Sequence, residues 1–148
     1  MLSAKAKYGL KAMLHLAERE GQGGVQGAEI AQMQTIPKKF LDAILLELKN
    51  QGLLYSKKGK GGGYTLSKPA AKITAGQIVR ILDGPLAPVS CVSVTAYRPC
   101  VDCSNEAACA VRAVMQKVRD ATAEILDNTS LKQMLGSRGA PAILNYDI

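Results

Sequence analysis

The stretch AEIAQMQTIPKKFLDAILLELKNQGLLYSKKGKGGGYTL, Ala28 to Leu66, decides the fold. Its first part, AEIAQM, reads as a short helix over Ala28–Met33. Gln34 and Thr35 read as a turn, and residues from about Pro37 to Asn50 as a second helix. Pro37 suits a first helical turn, where its missing N–H costs nothing. Gly52 supplies the stop. Phe40, Leu41, Ile44, Leu45 and Leu48 share one apolar face, while Lys38, Lys39, Asp42 and Lys49 lie mostly on the other. Two short helices with a tight turn fit a helix-turn-helix, whose second helix offers its N-terminal residues to a major groove. Helical spacing alone would also suit any other helical hairpin.

The residues that follow narrow the choice. Leu53–Ser56 reads as a short strand, KKGKGGG as a glycine-rich turn and Tyr64–Leu66 as the return strand. A basic β-hairpin directly after the second helix is the layout of a winged helix-turn-helix. Lys57, Lys58 and Lys60 stand at its tip, where a wing reaches phosphates or a minor groove. Gly59, Gly61, Gly62 and Gly63 permit positive φ and close backbone approach. A phosphate-binding loop is excluded: no Gly-Lys-Ser or Gly-Lys-Thr occurs, and a strand follows instead of a helix. The residues expected to face DNA are Lys38, Lys39, Asp42, Lys57, Lys58, Lys60, Gly61 and Tyr64.

Working outward, Ser3 to Arg19 reads as an amphipathic helix with Tyr8, Ala12 and Leu16 on its stripe. Its single histidine, His15, reads as a surface or boundary residue and not as a catalyst. Thr74 and Gln77 have capping-box spacing at the start of a helix that ends at Gly84-Pro85. Pro85 and Pro88 then form a stiff linker. A long helix is expected from about Asn105 to Asp127, with Val111, Val114, Val118, Ala121 and Ile125 stepping by three and four. Such a seam suits homodimerisation, against packing back on its own head. Ser130 and Gln133 cap a last short helix.

The expected architecture is mainly α with a small β-hairpin wing. A winged helix-turn-helix head covers residues 1–84, a cysteine-rich loop 85–109, the dimerisation helix and short final helix 110–135, and a loose tail 136–148.

All four cysteines fall in that loop, CVSVTAYRPCVDCSNEAAC. Eight residues separate Cys91 from Cys100, two separate Cys100 from Cys103, and five separate Cys103 from Cys109. The start of the chain has no secretory hydrophobic region, and no apolar run is long enough to cross a bilayer, so a cytoplasmic location with reduced thiols is expected. Clustered thiols then read as metal-binding or redox-active before they read as disulfides.

Charge points the same way as the hairpin. The chain carries a formal net charge of +7, and residues 1–90 hold thirteen Lys plus Arg against six Asp plus Glu. Residues 91–148 hold six of each. A basic head on a neutral C-terminal part suits a polyanion partner for the head, although a soluble basic surface would show the same count.

The glycine-rich GKGGGY, the preceding LLELKNQGLL, the start SAKAKYGLKAMLHLA and cysteines ahead of a long helix together resemble the Rrf2 family of bacterial regulators, of the IscR, NsrR and RirA type. The resemblance covers about Leu2 to Leu135. It implies a homodimer, a winged helix-turn-helix head, promoter binding and, in many members, an iron–sulfur cluster on three loop cysteines. Cys103 and Cys109 match the last two of those, and Cys91 and Cys100 are both candidates for the first. Where IscR-like members have a ligating His this chain has Arg112, and where NsrR-like members have a ligating Asp it has Lys7. All-cysteine ligation by Cys91, Cys100, Cys103 and Cys109 is the simplest arrangement left, for a [2Fe–2S] or a [4Fe–4S] cluster. A four-thiolate zinc and a thiol–disulfide switch are the alternatives. In the wing, Lys58 stands where the family has an arginine that enters the minor groove, and it keeps the charge without the planar fork. Pro37-Lys38-Lys39 also differs from the usual Ser-containing helix start, so the operator sequence does not carry over.

The expected mechanism is a cysteine loop that sets the spacing of two DNA-reading heads. An enzyme is the other class. No base partner for a nucleophile shows itself by spacing, and a cysteine-based redox enzyme would leave the basic wing without a role.

Overall fold

A computed structural model of the chain describes residues 1–139. The chain forms α1 (Ala4–Glu18), α2 (Gly27–Gln34), α3 (Lys38–Asn50), β1 (Leu54–Lys57), β2 (Gly63–Leu66), α4 (Ala75–Asp83), α5 (Ala110–Asp127) and α6 (Leu131–Gly136), with short 3-10 turns at Ala70–Lys72, Ser90–Val92 and Glu106–Ala108. It is a mainly helical chain with one two-stranded antiparallel hairpin, as expected.

The core is built where the apolar stripes of α1, α3 and α4 meet. Met13, Ile30, Leu41, Ile44, Leu45, Leu48, Ile73 and Ile78 are fully buried there. Gly9 lets α1 and α4 come close: a Cβ on it would lie 2.1 Å from Leu82 Cδ1. Phe40 differs from the expectation. It is 36% exposed and packs edge-on against Tyr8, because the first turn of α3 projects beyond the core.

The turn between α2 and α3 is tied down from α1. Thr35 caps α2 in the left-handed region at φ 54°, and Lys11 Nζ donates to the Gln34 carbonyl at 2.5 Å. Pro37 is the N-cap of α3 and not a member of its first turn.

In the hairpin, Leu54 pairs with Leu66 and Lys57 with Gly63. Its inner edge is stitched to the α1–α2 connection by Val25–Tyr64 backbone bonds of 3.0 and 2.8 Å. That approach requires glycine at Gly63, where φ is 118° and a Cβ would lie 2.5 Å from the Val25 backbone.

The C-terminal elements divide. α6 carries the predicted Ser130/Gln133 capping box and returns to the head, burying Leu131 completely. Backbone bonds Ala75 N to Thr129 O and Leu131 N to Ile73 O, both 2.9 Å, hold it beside the start of α4. α5 lies along the outside and has no buried residue. It begins at Ala110, later than expected, because Asn105 caps a separate 3-10 turn first. Of the tail, Arg138 pairs with Glu18, while residues 140–148 lie outside the described residues.

Candidate nucleic-acid interface and cysteine loop

Pro37 starts α3 at the surface, so Lys38 and Lys39 stand exposed on its first turn. Asp42, one turn on, is also exposed, and both its oxygens accept from Lys38 Nζ, at 2.7 and 2.8 Å. Asp42 thus tethers a neighbouring lysine. Ala43 and Leu46 follow on the same exposed face, and Leu46 is 52% exposed. Sequence reading passed over both because they look like core residues.

The wing presents Lys57, Lys58, Lys60 and Gly61 to solvent. Lys39, Lys57, Lys58 and Lys60 form no ion pair with any described residue. Tyr64 behaves differently from the other expected contacts: it is half-buried and packs against the core from the root of the wing. Seven of the eight named residues are therefore exposed on α3 and the wing, and the eighth supports the wing from behind.

His15, expected at the surface or boundary, is only 5% exposed. Its Nδ1 lies 3.3 Å from Gln34 Nε2, and its Nε2 has no hydrogen-bond partner. The helix stripe could not show this, because the burial comes from α2 and not from α1 itself.

The four cysteines occupy three different settings. Cys91 lies buried in the Ser90–Val92 turn, Cys100 is exposed, and Cys103 and Cys109 are half-buried. A clasp closes the first part of the loop: Arg98 N donates to Ser90 O at 3.2 Å and Ser90 Oγ donates to Arg98 O at 3.1 Å. Cys100 follows the clasp by two residues and stands exposed. The neighbouring Cys91 thiol pushes the Cys100 thiol up from its ordinary value. Cys103 follows in a turn closed by Cys103 N to Cys100 O at 3.3 Å.

Cys109 is the N-cap of α5, and its sulfur accepts from Arg112 N at 3.4 Å. It stands just before the first helical turn, whose backbone N–H groups have no intrahelical acceptor. Beside it, Tyr97 donates to the Glu106 carboxylate, which raises the Tyr97 phenol above its usual range. Arg112 Nε faces the other Glu106 oxygen at 3.6 Å and is otherwise without a hydrogen-bond partner. Arg112, which stands where a ligating His was expected by resemblance, is thus held by a carboxylate.

Arg119, which sequence reading missed, ties the loop to α5. Its guanidinium donates to Val92 O at 2.6 Å and also holds Asp120. Nothing in the helical period singles it out from the other polar residues of α5.

By its chemistry the donor set fits sulfur-ligated iron: four soft thiols, one of them at a helix N-terminus. By position the four do not converge. Among the described residues no three His, Cys, Asp or Glu side chains gather as a metal site, and Cys109 is turned toward its own helix. Holding such a group requires the loop to rearrange so that the cysteines converge.

α5 presents Val111, Val114, Val118 and Ile125 to solvent at 64, 53, 42 and 66% exposure. Beside it an open groove of about 860 Å³ runs between Leu2, Val79, Leu86, Val118, Ile125 and Leu126. No helix of the described residues is long and apolar enough to cross a membrane.

Residues 2–137 match the family model Rrf2, described as an iron-dependent transcriptional regulator. The chain is 40% identical over 145 residues to an rrf2-like HTH-type transcriptional regulator of Rhodobacter capsulatus, covering 96% of each. Its fold is similar to the solved structure of CymR, the global cysteine regulator of Bacillus subtilis, with a TM-score of 0.77, 33% identity and coverage of 92% of this chain and 96% of that one. It is also similar to IscR of T. potens, with a TM-score of 0.73, 28% identity and coverage of 93% and 87%.

Proposed function

This chain belongs to the Rrf2 family of DNA-binding transcriptional regulators, and from that premise we propose that it binds promoter DNA as a homodimer under the control of its cysteine loop. The observation that carries the proposal is a division of labour. The unpaired lysines stand on α3 and the wing, while the turn that bears Cys91 is bonded to α5.

The first turn of α3 enters the major groove, and the wing lysines contact phosphates. Such contacts fix position on the duplex and make binding steeply salt-dependent. The second copy covers the exposed seam of α5. Four apolar side chains at helical spacing on one exposed face suit an identical helix better than water. Two heads joined through α5 read two half-sites whose separation the duplex sets, so a shift of α5 changes affinity.

The loop supplies that shift. Cys91, Cys100, Cys103 and Cys109 would hold an iron–sulfur cluster, which supplies one-electron redox chemistry and sensitivity to small oxidants when bound. Backbone N–H groups at the start of α5 would donate to the Cys109 sulfur, and Arg119 would hold Val92 against α5. A second reading, control by thiol oxidation without a metal, is supported by the free, exposed thiol of Cys100.

Anaerobic purification separates the readings. A brown protein containing iron and acid-labile sulfide, with DNA affinity that changes when they are lost, is the expected result. A colourless zinc protein whose affinity ignores redox state overturns it. A metal-free protein whose affinity follows thiol oxidation favours the second reading.

A further inference from the structure

We propose that Ala43 and Leu46 on α3 set sequence preference, by packing against thymine 5-methyl groups in the major groove. The proposal rests on the reading that α3 enters that groove, and names the base group recognised there.

α3 has two apolar surfaces. Leu41, Ile44, Leu45 and Leu48 are buried in the head. Ala43 and Leu46 lie outside that set: Ala43 is exposed, and Leu46 is 52% exposed. Lys39, Ala43 and Leu46 step by four and three, so they share one face of the helix. An exposed leucine by itself carries no meaning in a water-soluble helix. The setting of this one does.

The acidic groups of α3 are neutralised. The helix has two, Asp42 and Glu47. Both Asp42 oxygens accept from Lys38 Nζ, at 2.7 and 2.8 Å, and Glu47 pairs with Lys5 of α1 at 2.5 Å. Lys39, one turn before Ala43, forms no ion pair with any described residue. The apolar step is therefore framed by cations, and each carboxylate of the helix already has a lysine. That arrangement suits a polyanion that also offers apolar groups. An apolar protein surface would gain nothing from the frame.

Chemistry names the base. Ala43 and Leu46 side chains have neither donor nor acceptor, so the polar atoms of a base edge find no partner in them. Thymine alone of the four bases carries a methyl group in the major groove. Three residues along a helix rise about 4.5 Å, close to the roughly 3.4 Å between successive bases of one strand. The two side chains thus reach base pairs that are neighbours or nearly so.

The test uses full-length protein purified under argon with whatever its cysteine loop holds and, in parallel, the same protein after chelator and reductant. Each form selects duplexes from a random-sequence pool. The enriched duplex is then remade with deoxyuridine in place of thymidine, one position at a time. Deoxyuridine pairs in the same way and lacks only the methyl. Removing one or two particular methyls is expected to weaken wild-type binding about three- to fivefold. Leu46→Ser and Ala43→Ser should each lose that discrimination at one position, with the salt slope unchanged. Equal wild-type affinity for every deoxyuridine duplex overturns the proposal and leaves promoter binding standing. Methyl discrimination unchanged in either serine variant overturns it as well. Loss of dimer mass in Leu46→Ser by sedimentation assigns the face to a protein contact and overturns it. No enrichment by either form, with no salt-dependent retardation of any duplex, overturns the underlying reading and the proposal together.

Discussion

The guanidinium of Arg119, two turns into α5, donates a 2.6 Å hydrogen bond to the carbonyl of Val92, the residue next to Cys91. The Arg119 side chain is 19% exposed, so little water competes for the bond. Charged donors to a shielded carbonyl contribute about 1.5–3 kcal/mol. The bond gives the cysteine turn a direct mechanical hold on the helix.

Arg119→Gln should therefore uncouple the loop from the heads. DNA affinity measured with the loop reduced and oxidised should converge toward one value, while α-helix content by circular dichroism stays the same. A ratio as large as that of the wild type would show that the coupling takes another route.

The exposed seam of α5 should be the dimer contact. Val118 lies on it and also lines the groove beside α4. Val118→Asp should convert the protein to a monomer in sedimentation experiments and lower affinity for a two-half-site operator at least tenfold. Binding of the Val118→Asp variant as a dimer would move the interface elsewhere.

In the wing, Lys58 is exposed and forms no ion pair with a described residue. Lys58→Ala should weaken DNA binding for all sequences alike and lower the salt slope by about one. An unchanged slope would remove the wing from the phosphate contacts. Asp42→Asn, which releases Lys38, should strengthen non-specific binding and leave folding unaffected.

Gly9→Ala tests the closeness of α1 and α4. The added Cβ would lie 2.1 Å from Leu82 Cδ1 and 3.5 Å from Ile44 Cγ2, with Leu82 and Ile44 both buried. Overpacking of this kind costs about 1–3 kcal/mol, against a helix-propensity gain of about 1. The urea midpoint should fall with little change in slope.

Arg80 on α4 grips Asp127 at the end of α5, at 2.5 and 2.8 Å. The hydrogen bond to the guanidinium holds the Asp127 carboxyl below its usual range. A carboxyl with a lowered folded value stabilises the fold above its unfolded value of about 3.9 and loses that contribution as pH falls through the folded value. The side chains are 40% and 43% exposed, so solvent screening leaves roughly 0.2–1 kcal/mol. Asp127→Asn should cost that much at neutral pH, with the gap to the wild type closing in acid. A gap that persists in acid would assign the effect to packing.

Much of the head was legible because its signals are local. Leu41, Ile44, Leu45 and Leu48 repeat with the helical period, and all four are buried on α3. Thr74 with Gln77, and Ser130 with Gln133, lie three residues apart, and both form capping boxes. The glycine run announced the hairpin, although not that Gly63 is needed against Val25. Legibility ended where partners are remote. His15 is buried from α2, α6 returns to the head past the whole cysteine loop, and Arg119 reaches back to Val92.

From sequence alone came the helices, the hairpin, the basic head and the gathering of four thiols in one loop, since each depends on neighbours along the chain and on backbone period. Tertiary structure alone decided that Cys91 is buried while Cys100 stays exposed, that Cys109 caps a helix, and that Arg119 binds the loop to α5. The reason is physical: spacing limits how far apart two side chains can be, but the path of the intervening backbone determines which of them touch, and here that path is closed by the bonds between Ser90 and Arg98.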